Sequence, residues 1–345
     1  MKFARLDGNG GLAVEERAPP AIGPGEVLVE LAACGVCGTD LEKLRGNYRT
    51  AGVIGHEPVG RISAVGDGVR DLALGDRVFV HHHVPCYRCA VCARGDFTFC
   101  PTYATTNIDP GGFAETFRVP AENVERKAVL RLDPGISWDV GALLEPAGCA
   151  LTALHRVGFP AGGTVFVLGL GPVGLLYARL ARALGAAWVG GTEISPLRRA
   201  AAERGGVDAP VDPRATGAAR AAVDRATDGR GVDLAVVATG HPSVVRDATA
   251  LVRRGGTVNL FGLPEKGSRL DADLQDLYLR GVRIVPSYAT TEPEIAEVHR
   301  LAVEGRLPLV DLVTHRVPLP EIARAFALAQ RPDEAVKVVV TGPAY

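Results

Sequence analysis

No apolar run in this 345-residue sequence reaches the ~18 residues that a bilayer-spanning helix requires, which argues against an integral helical membrane protein. Met1-Lys2-Phe3-Ala4-Arg5 does not lead into an apolar signal region, so no secretory leader is expected. An excess of either charge is missing too. Lys and Arg total 38 against 39 Asp and Glu, a net charge of −1, and no broad attraction to nucleic acid or anionic membrane is expected. Internal repeats and low-complexity segments are absent, which excludes a repeat architecture. Cysteine is sparse, with 7 in the chain, and nothing else reads as secreted, so a disulfide framework is not expected. These absences point to a cytoplasmic protein.

What cysteine there is lies in informative places. Cys86, Cys89, Cys92 and Cys100 form a C-x2-C-x2-C-x7-C run on one short stretch. Four thiolates on one loop suit a tetrahedral Zn²⁺ in a closed structural site. A second potential set mixes Cys37, His56, Glu57 and Glu145. Sulfur, nitrogen and oxygen donors that leave a position open are the pattern of catalytic zinc. For Cys34 the expected role is a small buried hydrophobe. Cys149, one helical turn after Glu145, reads as packing or as a thiol facing a cofactor. The run His81-His82-His83 invites a metal reading, but a strand alternates its faces, so the three cannot all address one ion. A substrate-pocket role for His82 or His83, and for Tyr288, is the stronger expectation.

The first ~150 residues alternate short β-like runs such as 27–31 and 77–80 with Gly/Pro/Asp turns, the texture of an antiparallel barrel. From Gly162 onward the pattern changes. Strand-like 164–168, helix-like 173–184 and strand-like 188–193 are followed by further strand-like runs at 233–238 and 257–261. Strands alternating with helices imply a parallel sheet. The tail, with strand-like 312–319 and 336–340 around helix-like 321–330, is expected to return to the first domain.

Gly169-Leu170-Gly171-Pro172-Val173-Gly174 sits between such a strand and such a helix. Gly169 permits the tight turn, Gly171 lets backbone approach a pyrophosphate, and Gly174 lets helix and strand pack closely. Pro172 and Val173 open the helix, whose N-terminus offers free N–H groups to phosphate. Glu193, nineteen residues past Gly174, is placed to accept both adenosine-ribose hydroxyls and to repel a 2′-phosphate, favouring NAD over NADP. Arg198 and Arg199 temper that preference, being within reach of a phosphate or else on a solvated helix face.

Cys37-Gly38-Thr39-Asp40, Gly55-His56-Glu57-Pro58-Val59-Gly60, the four-cysteine loop, Gly111-Gly112-Phe113-Ala114-Glu115 and Leu144-Glu145-Pro146 precede the glycine fingerprint in that order. Together they resemble the zinc-dependent medium-chain dehydrogenase/reductase superfamily over essentially the whole chain. Glu145 before Pro146 resembles the polyol and L-threonine dehydrogenase branch. The implied fold is α/β plus β. A GroES-like antiparallel β-barrel catalytic domain would span 1–150, and a doubly wound parallel-sheet Rossmann domain 151–289. Residues 290–345 would return to the catalytic domain.

The resemblance implies two Zn²⁺ per chain. Cys37 and His56 would hold the catalytic ion with Glu57 or Glu145, and Cys86, Cys89, Cys92 and Cys100 the structural one. Asp40 would fix the His56 tautomer, a role metal-bound imidazoles require; as a turn aspartate it also reads as a helix cap. Lys337 matches a position that reaches the cofactor pyrophosphate. One departure concerns proton transfer. Family members often carry a histidine five positions after the cysteine ligand; here it is Glu42. Thr39 keeps the relay's hydroxyl, and the last step falls to Glu42, Lys43 or water.

The expected activity is oxidation of a secondary alcohol, polyol or sugar by NAD⁺, in a homodimer or homotetramer with no nucleic-acid or membrane partner. An aldehyde or ketone reductase using NAD(P)H, an L-threonine 3-dehydrogenase-like enzyme and a non-catalytic nucleotide-binding protein are the alternative readings.

Overall fold

The computed structural model describes residues 1–7, 11–47, 54–264, 266–270 and 272–345. Two large sheets organise it. The first has the strand order 313–318, 337–341, 27–35, 58–65, 77–80, 129–131, with 116–119 also paired to 27–35. Its strand pairs are antiparallel except for the tail's own two strands, which run parallel to each other. Strand Lys337–Thr341 binds Val27–Gly35 directly, so the end of the chain is part of the first sheet. The second sheet has six parallel strands in the order 209–211, 188–192, 164–168, 232–237, 252–260, 283–286. Val165, Phe166, Val167, Leu234, Ala235 and Val236 are all buried, as strands covered on both faces must be. This is the α/β-plus-β architecture with a Rossmann-type sheet.

Helix Leu144–Val157 joins the two parts and is apolar nearly all round. Leu144, Ala147, Ala150, Leu151, Ala153, Leu154 and Val157 are buried, and the helix packs on helices Pro172–Ala183 and Glu292–Val303. It stops at Gly158, which takes the left-handed conformation (φ 64°) that closes helices without a Cβ penalty.

Arg179, on helix Pro172–Ala183, clips the returning tail to the nucleotide half. Its Nη1 and Nη2 lie 2.6 and 2.7 Å from Asp311, just before strand Val313–Pro318. Asp311→Ala is expected to cost about 2 kcal/mol, because the stranded guanidinium is only 3% exposed; the partial exposure of Asp311 (38%) limits the loss. The Arg179 hydrogen bonds hold the Asp311 carboxyl below the usual range. A lowered folded value means the contribution is intact above pH ~4 and fades as pH falls through that value. Urea unfolding at pH 7 and pH 3 checks this: the gap between wild type and variant should narrow at pH 3, and an unchanged gap counts against it.

Candidate active site

The four cysteines converge as a local consequence of two short turns. Cys92–Arg94 closes at Gly95 (φ 81°), and Phe97–Phe99 then delivers Cys100. Sulfur separations are 3.6 Å (Cys89–Cys92), 3.8 Å (Cys89–Cys100) and 3.9 Å (Cys86–Cys92). A tetrahedral ion with Zn–S bonds of about 2.3 Å requires sulfurs about 3.8 Å apart, so the set fits zinc. Burial raises the Cys100 thiol, but N–H groups of Cys86 and Tyr103 outweigh it and bring it down to about 6. Burial pushes Cys92 up to about 12. Metal uptake by this cluster must therefore displace protons.

The second set is assembled by sheet register. Cys34 lies opposite Pro58, and Gly35 opposite Val339, on neighbouring antiparallel strands. The residues just beyond these pairs therefore meet at one end of the sheet. Ligand atoms of Cys37, His56 and Glu57 lie within 4.8 Å of one another. Asp40, fully buried, ties the two segments together. It receives the N–H of Cys37 (3.2 Å) and of Gly55 (3.2 Å), and its Oδ1 lies 3.4 Å from His56 Nδ1. Capping and orienting are thus one role. Burial disfavours charge on both Asp40 and His56, yet their mutual attraction wins, lowering the carboxyl and raising the imidazole.

Glu57 is fully buried, with Lys337 Nζ 2.8 and 2.6 Å from its two oxygens. A Cβ on Gly35 would stand 1.7 Å from Glu57 Oε2 and 2.9 Å from Lys337 Cε, so glycine makes room for the pair. Lys337, matched above to a pyrophosphate position, is here turned onto a carboxylate. Burial pushes the Glu57 carboxyl up, Lys337 opposes this, and Glu145 adds to the rise. Lys337 is the ammonium bonded to Glu57, and the sulfur, imidazole and carboxylate donors of Cys37, His56 and Glu57 make a set that fits a bound cation. Glu145, in the first turn of helix Leu144–Val157, is buried but stands outside the 4.8 Å group; its Oε1 accepts from Cys149 Sγ at 3.4 Å. Burial raises the Cys149 thiol.

Thr39 Oγ1 lies 3.7 Å from Cys37 Sγ. The Glu42 carboxylate is engaged at the far end of helix Gly38–Leu44 by Arg45 (2.7 Å) and Asn47 (2.8 Å). The strand leading to the histidines ends at Val80, so strand alternation does not arrange them as the sequence implied. They fan out instead. The His82 ring lies 5.2 Å from His56 and 4.0 Å from His83, whose Nδ1 bonds the carbonyl of Thr106. His81 turns to Glu292. Burial holds His82 well below the usual range, hence neutral, and lowers His83 to about 4. Tyr288 stacks on Phe99 of the cysteine lobe, ring centroids 6.2 Å apart.

The glycine fingerprint opens helix Pro172–Ala183, with Gly171 at its N-cap and Pro172 in the first turn. Gly169 has φ 102°, and a Cβ on Gly174 would meet the Gly169 carbonyl at 2.0 Å. Glu193, buried, follows strand Trp188–Thr192 and accepts from the N–H of Ser195 at 3.0 Å. Arg199 is committed to the carbonyls of Glu193 and Ile194 and to Asp212. Arg198 is not on a solvated face. Its Nε donates to the Ala335 carbonyl at 3.1 Å, and its Nη1 lies 3.6 Å from where a Gly171 Cβ would stand. A cavity of about 350 Å³ is lined by Ile194, Pro196, Leu197, Arg214 and Asp333.

Neither the Glu57–Lys337 pair nor the role of Gly35 had a signal in the sequence. The partners are 280 residues apart.

A barrel-type sheet carrying two zinc-type ligand sets, joined to a nucleotide-binding parallel sheet, defines a metal-dependent dehydrogenase architecture. The family model for the alcohol dehydrogenase GroES-like domain matches residues 23–128, and that for zinc-binding dehydrogenases matches 172–304. The chain is 32% identical to sorbitol dehydrogenase of Bacillus subtilis, covering 99% of this chain and 97% of the relative. It is 30% identical to L-threonine 3-dehydrogenase of the same organism, covering 97% and 96%. A protein of Sinorhizobium meliloti 1021, assigned as a zinc-binding dehydrogenase and solved with NADP bound, superposes with a TM-score of 0.87 at 31% identity, over 99% and 98% of the two chains. The chain belongs to the zinc-dependent medium-chain alcohol dehydrogenase superfamily.

Proposed function

We propose that this enzyme oxidises a secondary alcohol bearing a neighbouring hydroxyl, a polyol or sugar, with NAD⁺ as hydride acceptor. One observation carries the reading. Within three residues, Ala335 accepts from Arg198 beside the glycine turn, and Lys337 grips Glu57 beside Cys37 and His56. That short path supports a cofactor cradle standing next to the metal cluster.

Cys37 and His56 would hold the catalytic zinc with Glu57 or Glu145, and the four-cysteine lobe a structural one. Bound zinc supplies Lewis acidity that lowers the pKa of a substrate hydroxyl, and the nicotinamide supplies the hydride chemistry. Asp40 orients His56, and Thr39 takes the hydroxyl proton. With Glu42 tied to Arg45 and Asn47, water is the better next acceptor. Gly169, Gly171, Pro172, Val173 and Gly174 would cradle the pyrophosphate, and Glu193 the adenosine ribose. Residues 1–150 and 290–345 would form the catalytic domain and 151–289 the nucleotide domain.

The two thiol-bearing ligand sets support a cytoplasmic location, where thiols stay reduced. No helix among the described residues is long and apolar enough to cross a membrane. The edge strand Arg283–Pro286, flanked by exposed Leu274, Tyr278 and Leu279, supports a homo-oligomer.

The polyol reading is supported by polar groups, with His82 beside His56, His83 beside His82, and the carboxylates of Glu57 and Glu145, and by the sorbitol dehydrogenase relative. A simple primary alcohol would leave such groups unpaired, which polar sites penalise heavily. The test is kcat/KM for a hexitol against ethanol and benzyl alcohol; preference for either simple alcohol refutes the assignment. Buried Glu193 and the committed Arg199 support NAD⁺. Glu193→Ser should narrow the NAD⁺ preference about tenfold, the effect of roughly 1.4 kcal/mol, and a wild-type enzyme preferring NADP⁺ would refute it.

A further inference from the structure

The geometry points to Glu292 as a positioning residue that locks the four-cysteine lobe to the histidine wall of the active site. Its carboxylate is only 10% exposed and spends its two oxygens on two different elements. Oε1 lies 2.6 Å from His81 Nδ1, and Oε2 accepts the hydroxyl of Tyr87, the residue directly after Cys86 in the lobe.

Three features show that this clasp carries the seating of the lobe. Tyr87 has φ 56° and Ala289 has φ 60°, both in the left-handed region that non-glycine residues enter at a cost and keep only when their surroundings enforce it. Both lie at this junction, Ala289 packing directly against the lobe's small core of Cys92, Cys100 and Tyr103. Tyr103 adds a hydrogen bond to the Thr290 carbonyl at 2.9 Å, so the segment leading to Glu292 is held beside the clasp as well. Finally, an open cavity of about 920 Å³ is bordered on one side by Cys86, Tyr87, Arg88 and Glu292, so the clasp stands at the edge of a cleft.

The other end of the clasp reaches the active site through ring packing. The buried His81 ring stands edge-on to His82 (5.5 Å, 86°), and His82 leans on His56 at 5.2 Å. His82 Nδ1 and His81 Nε2 are buried without a hydrogen-bond partner. No bond at Nδ1 pins the His82 ring, so its pose is set by the rings around it: His81, which takes its own pose from Glu292, and His83, 4.0 Å away and held at the Thr106 carbonyl. Lobe and pocket are thereby coupled.

The test uses the zinc-loaded full chain and the variants Tyr87→Phe, Glu292→Gln, Glu292→Ala and Tyr87→Phe/Glu292→Ala. The first readout is the rate at which a chromophoric chelator removes the lobe's zinc. Each single variant should release it about tenfold faster, and the double variant no faster than Glu292→Ala alone. Unchanged release in Tyr87→Phe, or additive effects in the double variant, overturns the clasp. The second readout is the ¹H–¹³C ring signals of His82, which should shift in Tyr87→Phe although that hydroxyl does not touch the ring. Unshifted signals overturn the link to the pocket. Should Glu292→Ala fail to fold, Glu292→Gln and its combination with Tyr87→Phe complete the same cycle. Resting on the proposed function, the variants should also raise KM for the alcohol about fivefold while leaving KM for NAD⁺ unchanged. Failure to turn over any alcohol would sink that function and leave the release and ring-signal tests to decide the clasp.

Discussion

His56→Ala is expected to lower alcohol oxidation by at least ~10³-fold and to reduce zinc from two ions to one per chain. The size follows from the site: Lewis-acid polarisation contributes several kcal/mol, and each 1.36 kcal/mol is a factor of ten. His56 is the one imidazole in the Cys37–His56–Glu57 cluster. Its loss also strips Asp40 of the partner that holds that buried carboxyl low, so Asp40 should titrate at a higher pH in the variant. Steady-state rates, elemental zinc and the Asp40 carboxyl resonance check all three. Near-wild-type turnover with a single zinc would mean that the catalytic ligands lie elsewhere.

Cys89→Ser should act on a different quantity. Its sulfur lies 3.6 Å from Cys92 and 3.8 Å from Cys100, and the lobe's own core amounts to Cys92, Cys100 and Tyr103. Structural zinc sites of this kind contribute on the order of 10 kcal/mol of binding free energy, which in a lobe with so little core is folding free energy. The variant should lose one zinc and unfold its lobe, with a fall in Tm of ten degrees or more, and chelation of the wild type should reproduce that fall. Raising the pH should strengthen zinc retention, because uptake displaces the proton held on Cys92. A variant that keeps two zinc ions and the wild-type Tm would refute a structural role for the lobe.

The two variants differ in how visible their sites were beforehand. The four-cysteine loop could be read from spacing, because two short turns suffice to bring its sulfurs together. The fingerprint of Gly169, Gly171 and Gly174 was legible for the same reason: strand, turn and helix are consecutive in the chain. Strand and helix types in the nucleotide half followed from apolar runs that burial on both faces demands.

Only the tertiary structure decided the rest. That Lys337 grips Glu57 depends on the pairings Cys34↔Pro58 and Gly35↔Val339, and slipping either by one residue would turn the side chains to opposite faces. Asp40 reads as a helix cap from its neighbours, yet it also holds Gly55 and His56, which arrive from another strand. The histidine run named a place without giving its geometry: the strand ends at Val80, His81 turns to Glu292, 211 residues away, and His82 is the ring that leans on His56. Local spacing by itself determined the four-cysteine set, the glycine fingerprint and the order of elements, because adjacent residues are held together by covalent geometry. Register and packing decided that Cys37, His56 and Glu57 converge and that Lys337 meets Glu57, because those contacts join segments that meet only once the sheets have formed.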